Sequence, residues 1–181
     1  MIVIGCDPGT EKSAIVVYDS DKPLVLGAHH YANADVLELL SSRGSVGFSW
    51  KQINATLVIE EIESYGMAVG REVFVTVRWT GRFEQAWGGN NNDPAVVQMP
   101  RRIVKQHLCH TARATDANIR QALIDRFGPG PEKAVGLKKT PGPLYAIKGH
   151  AWSALAVAVT YADQRAAQPA NQIRPGVVGE F

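Results

Sequence analysis

The chain has 181 residues, 45% of them apolar and 20% charged, which is enough to bury one substantial core and too apolar for a disordered segment. No apolar run approaches the roughly 20 residues of a spanning helix, no basic stretch precedes an apolar one at the N-terminus, and Cys6 and Cys109 make no disulfide framework. These features exclude a disulfide-stapled secreted scaffold and predict a soluble protein of a reducing compartment, the cytoplasm, with no membrane partner. The formal net charge of +2 conceals a division, because residues 1–98 carry 7 Lys/Arg against 12 Asp/Glu whereas residues 99–139 carry 9 against 3. An acidic part followed by a basic one suits a protein that holds cations beside a polyanion, and equally an ordinary solvated surface.

Residues 2–6, 13–19 and 24–31 are rich in apolar and β-branched side chains, with turn signals at Pro8-Gly9 and Asp21-Lys22-Pro23. They predict three strands in an antiparallel meander. Asn33 can cap a helix over 33–44, whose apolar side is Val36, Leu37, Leu39 and Leu40 and whose end is marked by Gly44. "ATLVIEEI" (55–62) predicts a fourth strand that runs into acids. Over 66–87, Val69, Val73, Phe74, Val77, Gly81 and Trp87 recur near helical spacing.

The Gly-Gly-Asn-Asn-Asn-Asp-Pro run (88–94) predicts a loop, "AVVQM" (95–99) a fifth strand, and 101–109 and 115–127 two short helices. Residues 129–146, rich in Gly, Pro and Lys, predict a mobile loop. "KGHAWSALAVAVTYAD" (148–163) predicts a last helix, small and apolar on one side. The domain is expected to span 1–164, with 165–181 a flexible tail. Three adjacent strands, then strands alternating with helices, indicate an α/β layer fold with a mixed sheet.

Asp7 and Glu60 each end an apolar strand. If those strands are neighbours, both carboxylates emerge at one edge of the sheet, where they repel each other and a divalent cation resolves the repulsion. His150, in the first turn of the last helix, and Ser153, three residues on and on the same face, are further ligand candidates. Oxygen ligands suit Mg²⁺, and an imidazole makes Mn²⁺ more comfortable. Two such ions about 3.5–4 Å apart activate water and stabilise the leaving oxygen of a phosphodiester. Plainer readings stand beside these: Asp7 before Pro8-Gly9 as a turn residue, Glu60 as a solvated strand end next to Glu61 and Glu63, His150 as a helix start. "HLCH" (107–110) invites zinc, but a closed site wants four ligands and no second pair follows.

"IVIGCDPGTEKSAIVVYD", "LVIEE" and "GHAWSALAVAVTY", in that order, resemble the three blocks of the Holliday-junction resolvase family RuvC, within the ribonuclease-H-like superfamily. "RRIVKQHLCHTARATDANIRQALIDRFG" is similar to that family's basic segment, and "SYGMAVGREVFVTVRWTGRF" looks closest to its phage-borne branch. The resemblance spans Met1 to about Asp163. It implies an α/β ribonuclease-H-like fold whose five-stranded mixed sheet has three antiparallel strands, then two parallel ones, flanked by helices. It implies a metal-dependent endonuclease that nicks branched DNA by two-metal hydrolysis, with Mg²⁺, or Mn²⁺ in its place.

By that resemblance Asp7, Glu60 and His150 are catalytic metal ligands, with Ser153 at the fourth position. Lys105 approaches the scissile phosphate, and Arg101, Arg102, Arg113, Lys138 and Lys139 with Lys105 make the DNA surface. The family pattern departs in two places. Ser153 stands where a second acid is usual, so the site works with fewer charges (the reading taken), or Glu61, Glu63 or Asp116 moves in, or catalysis is weakened. Glu63 stands where an aromatic is usual, and Tyr65 is the nearby candidate to stack on an unpaired base. The family's two-fold chemistry implies a homodimer, with Phe74, Val77 and Trp87 of the 66–87 helix at the contact or in the core. The rivals are a non-catalytic junction binder on the same fold and a sugar-kinase or Hsp70-type ATPase. The second needs phosphate and adenosine motifs over a much longer chain, so no nucleotide cofactor is expected.

Overall fold

The computed structural model describes residues 1–42, 55–63, 66, 68–88 and 96–168. In chain order the elements are β1 (Ile2–Asp7), β2 (Lys12–Asp19), β3 (Leu24–Ala32), α1 (Asn33–Ser42), β4 (Thr56–Glu61), α2 (Arg71–Trp87), β5 (Val96–Pro100), α3 (Arg101–Cys109), α4 (Asp116–Phe127), α5 (Pro131–Ala134), β6 (Gly136–Leu137), β7 (Thr140–Pro141) and α6 (Ala151–Ala167). The main sheet has the order β3-β2-β1-β4-β5. The meander β1–β2–β3 is antiparallel, and β4 and β5 run parallel to β1. This is the expected five-stranded mixed sheet.

Alternation along the strands divides the core between two faces. Val3, Val16, Val58 and Met99 meet the apolar side of α6 together with α3 and α4. Ile4, Cys6, Leu57 and Ile59 meet α1 and α2 on the other face. The approach of α6 depends on one glycine: a Cβ at Gly5 would lie 1.9 Å from the Ala154 carbonyl oxygen. The small residues of α6 let that helix lie directly on β1, and its N-terminus then falls beside the end of β1.

The β1–β2 turn is held by a buried polar clamp. Ser13 Oγ donates to Asn33 Oδ1 at 2.7 Å, Asn33 Nδ2 donates to the Gly9 carbonyl at 2.9 Å, and the Gly9 amide donates to Ser13 Oγ at 3.2 Å. The side chain of Asn33, expected as a helix cap, therefore serves the turn that follows Asp7. Gly9 is required by that turn itself, since a Cβ there would stand 2.3 Å from the Lys12 carbonyl oxygen.

Four expectations are corrected. The helix expected over 66–87 begins at Arg71, and the last helix begins at Ala151 and continues to Ala167; residues 169–181 of the expected tail lie outside the described residues. The segment 129–146 is organised instead of a mobile loop: α5 and the β6–β7 hairpin occupy it, and Ala134 and Leu144 are fully buried. Its glycines mark close backbone approach, because a Cβ at Gly142 would meet the Lys133 carbonyl oxygen at 2.3 Å and Gly136 has φ +71°. Finally, Trp87 is 1% exposed and packs in the core with Phe83, so it cannot serve a subunit contact. No helix among the described residues is long and apolar enough to cross a membrane.

Candidate active site

Register alone gathers the acids. Cys6 of β1 pairs with Ile59 of β4, so Asp7 and Glu60 are the next residues of adjacent parallel strands. Val3 and Gly5 precede Asp7 on the face that α6 covers, and Val58 precedes Glu60 on the same face. Strand alternation gives Glu61 the parity of Leu57 and Ile59, but at the strand end it still lines the cleft of Asp7 and Glu60. Glu60 pairs in turn with Met99 of β5, and two residues further on the same parity brings Arg101 to this edge.

His150 is the residue immediately before α6, and its Nδ1 hydrogen-bonds Oδ2 of Asp7 at 3.0 Å. Its ring meets the edge of His30 from β3 at a centroid distance of 6.1 Å. Gly149, at φ +49°, allows this approach. Burial, and then the charge of Glu60, push the Asp7 carboxyl up to about 7 against the lowering influence of His150. Burial also pushes the Cys6 thiol up, with help from the charges of Asp7 and Glu60, and keeps it protonated.

Glu60 is held differently. The Arg101 guanidinium donates to Glu60 Oε1 from one amino group and to Asp116 Oδ1 from the other. Burial works against the charge on Arg101, but these two carboxylates hold its pKa above the usual guanidinium value. Glu60 Oε2 is buried and makes no hydrogen bond among the described residues. A carboxylate oxygen taken from water with no donor is costly.

Two clefts result. One, of about 300 Å³, is lined by Asp7, Glu60, Glu61, Glu63 and Arg101. The second, of about 390 Å³, is lined by Asp116, Arg120, His150, Trp152 and Ser153. They are linked twice, by Arg101 reaching Asp116 and by His150 reaching Asp7.

The structure therefore brings together Asp7, Glu60, His150 and Arg101, with Ser153 in the adjoining cleft. Among the described residues no three His, Cys, Asp or Glu side chains converge tightly enough to enclose an ion as they stand. The donor set still fits a hard divalent cation: two strand-end carboxylates that repel each other, one imidazole, and a buried oxygen of Glu60 that lacks a partner.

Lys105 lies one helical turn beyond Arg101 on α3, half-buried, with no ion pair to a described residue. Arg102 pairs with Glu63 at 2.8 Å. Arg113 is exposed on the loop between α3 and α4, and Lys138 and Lys139 are exposed at the tip of the β6–β7 hairpin. Tyr65 lies outside the described residues. In "HLCH", His107 Nε2 bonds Asp163 Oδ2 at 2.8 Å and His110 ends α3 in the left-handed conformation, so the motif is spent on structure.

The sequence reading placed Arg101 on a DNA surface and did not see its bond to Glu60. The signal was available in the alternation of Val97, Met99 and Arg101 along one strand end. Nothing in the linear order places Asp116 beside His150, because α4 must first fold back along α3.

The sheet order, the antiparallel meander followed by parallel strands, and the closing helix laid on β1 define the ribonuclease-H-like fold. This chain shares that fold with solved structures. It is similar to RuvC of Thermus thermophilus, with a TM-score of 0.58 and 19% identity over 92% of this chain and 96% of that one. It is also similar to T. thermophilus RuvC in complex with Holliday junction substrate, with a TM-score of 0.59 and 22% identity over 91% and 94%. A more distant likeness is to the fowlpox virus Holliday junction resolvase, with a TM-score of 0.45 and 13% identity over 91% and 99%. No protein-family model and no curated protein matches the sequence. What is shared with the T. thermophilus structures is the fold.

Proposed function

We propose that this chain is a divalent-metal-dependent endonuclease that nicks four-way DNA junctions. The observation that carries the reading is the pair Asp7 and Glu60. They stand side by side at parallel strand ends on one face, with a buried Glu60 oxygen left unpartnered, in a fold whose T. thermophilus representative is solved with a Holliday junction. A divalent cation there would supply a Lewis acid for the phosphate and a bound water of lowered pKa. Asp7, Glu60 and His150 are the side chains that would hold it, and the mixed oxygen and nitrogen set accepts Mg²⁺ or Mn²⁺. Lys105, half-buried and unpaired among the described residues, offers a positive charge to the phosphate as negative charge builds on it. Arg113, Lys138 and Lys139 extend a basic surface for the arms of the junction.

Paired nicks on a junction require two sites related by a two-fold axis. The outer face of α2 suits the contact: Phe74 is 62% exposed and Val77 49% exposed, one helical turn apart. Phe74→Glu is expected to convert a dimer to a monomer in light scattering with the melting temperature of the chain little changed. A wild-type monomer at all concentrations would remove this contact.

A second reading, a junction binder without cleavage, is favoured by two observations. Glu60 is already occupied by Arg101, and Ser153 adds no charge to the site. A labelled four-way junction and a matched linear duplex, incubated with Mg²⁺ or Mn²⁺, separate the two. Nicks on the junction that vanish in Asp7→Asn support the nuclease. Tight junction binding without nicks under either metal supports the binder.

A further inference from the structure

Asp116 begins α4 on the far side of Arg101 from Glu60, and the two carboxylates share one guanidinium. Glu60 is nine-tenths buried and its second oxygen has no partner, whereas the side chain of Asp116 is 77% exposed and free to turn. Asp116 also lines the cleft that holds His150 and Ser153. Around the end of β1 this gives Asp7, Glu60, Asp116 and His150, with one arginine inserted among the acids. Glu61 and Glu63 line the cleft of Asp7 and Glu60, Glu63 paired there with Arg102, and neither lines the cleft of His150 and Ser153. Among the described residues Asp116 is the acid that both shares a guanidinium with Glu60 and lines the cleft of His150.

We propose that Asp116 is a further ligand-bearing residue of the cation site and supplies, from α4, the negative charge that the Ser153 position does not. Arg101 is the placeholder: in the metal-free protein it neutralises Glu60 and Asp116 together, and it withdraws from them when a divalent cation takes over that role. The exchange is balanced in charge, since two carboxylates that shared one guanidinium come to share an ion of twice its charge. The guanidinium so released is set for a phosphate oxygen, which it can grip through two parallel N–H bonds. This inference rests on the metal-dependent reading above.

The test is Mn²⁺ binding by the full chain without DNA, followed by the paramagnetic resonance signal of free Mn²⁺, with folding of each variant checked by thermal melting. Asp116→Asn is expected to weaken binding about tenfold or more. Adding Ser153→Asp to Asp116→Asn is expected to recover most of that loss, because an acid then returns to the same cleft. In an Arg101→Met background Asp116→Asn is expected to weaken binding still.

If Asp116→Asn costs nothing there, Asp116 acts only as an anchor for Arg101 and the inference is overturned. If Asp7→Asn weakens binding and Asp116→Asn never does, the inference fails while the metal site stands. Should wild type bind no Mn²⁺ at millimolar concentration, or bind as well after Asp7→Asn, the site reading fails and this inference with it.

Discussion

Asp7 keeps its proton at pH values where an exposed aspartate has lost it, because burial and the neighbouring Glu60 both oppose its charge. Its pKa is about 7 in the folded chain against an ordinary aspartate value of 3.8. A group raised on folding contributes stability that is complete below the unfolded value and is lost as pH rises through the folded one. The metal-free protein is therefore expected to gain stability as pH falls from 8 to 5, by at most about 1.4 kcal/mol per pH unit. Asp163 has the opposite sign. Burial alone would raise it, yet its bonds to Arg126 and His107 hold it below the ordinary value. Its contribution is present above the unfolded value and disappears as pH falls through the depressed one, so the gain reverses below about pH 4. Urea unfolding of wild type and Asp7→Asn from pH 8 to 5 checks the first half. An equal slope in the variant would show that Asp7 is not its source.

At the scale of elements, the contact of α6 with β1 positions the chemistry. His150 reaches Asp7 because α6 lies on the strand at Gly5, with no room for a side chain between them. Gly5→Ala must push the helix off or bend the strand, and is expected to cost about 3 kcal/mol or more, at the upper end of overpacking. It should also weaken Mn²⁺ binding, since His150 moves with the helix. Gly81 offers the contrast: a Cβ there meets nothing within 4 Å, and it sits inside α2. Gly81→Ala is expected to stabilise by about 0.5–1 kcal/mol through helix propensity. Denaturant midpoints of the two variants should move in opposite directions, and a shift in the same direction would contradict the packing described for Gly5.

For the molecule as a whole, the near-neutral net charge hides a segregation that matters for a polyanion. Acids converge on the cleft, and basic residues extend from α3 to the hairpin tip, where Lys138 and Lys139 are exposed. Phosphate contacts show in the salt dependence of binding, each contributing about 0.9 to the slope of log affinity against log salt on duplex arms. Replacing Lys138 and Lys139 together with Ala is expected to lower that slope by about 1.8 while leaving the preference for a junction over a duplex unchanged. An unaltered slope would place the hairpin outside the DNA interface.

The strands, most helices and the positions of Asp7 and Glu60 at strand ends were legible in the linear order, because period-two apolar runs and turn residues are local signals. Even the choice of Glu60 over Glu61 follows from alternation once β1 and β4 are neighbours. Other features needed the tertiary structure, since they depend on distances between elements far apart in sequence. Gly136 and Gly142 read as looseness and turned out to mark tight backbone packing, because a missing side chain signals either. Trp87 fitted a surface stripe by spacing, and only the rotation of α2 against the sheet put it in the core. Asp116 lies 56 residues from Glu60 along the chain, and the folding of α4 onto α3 is what sets both on one arginine. The sequence by itself determined which residues could carry charge at strand and helix ends. The packing of α6, α3 and α4 decided which of those charges face one another, because electrostatic coupling depends on separation in space and on burial, and neither is written in the order of residues.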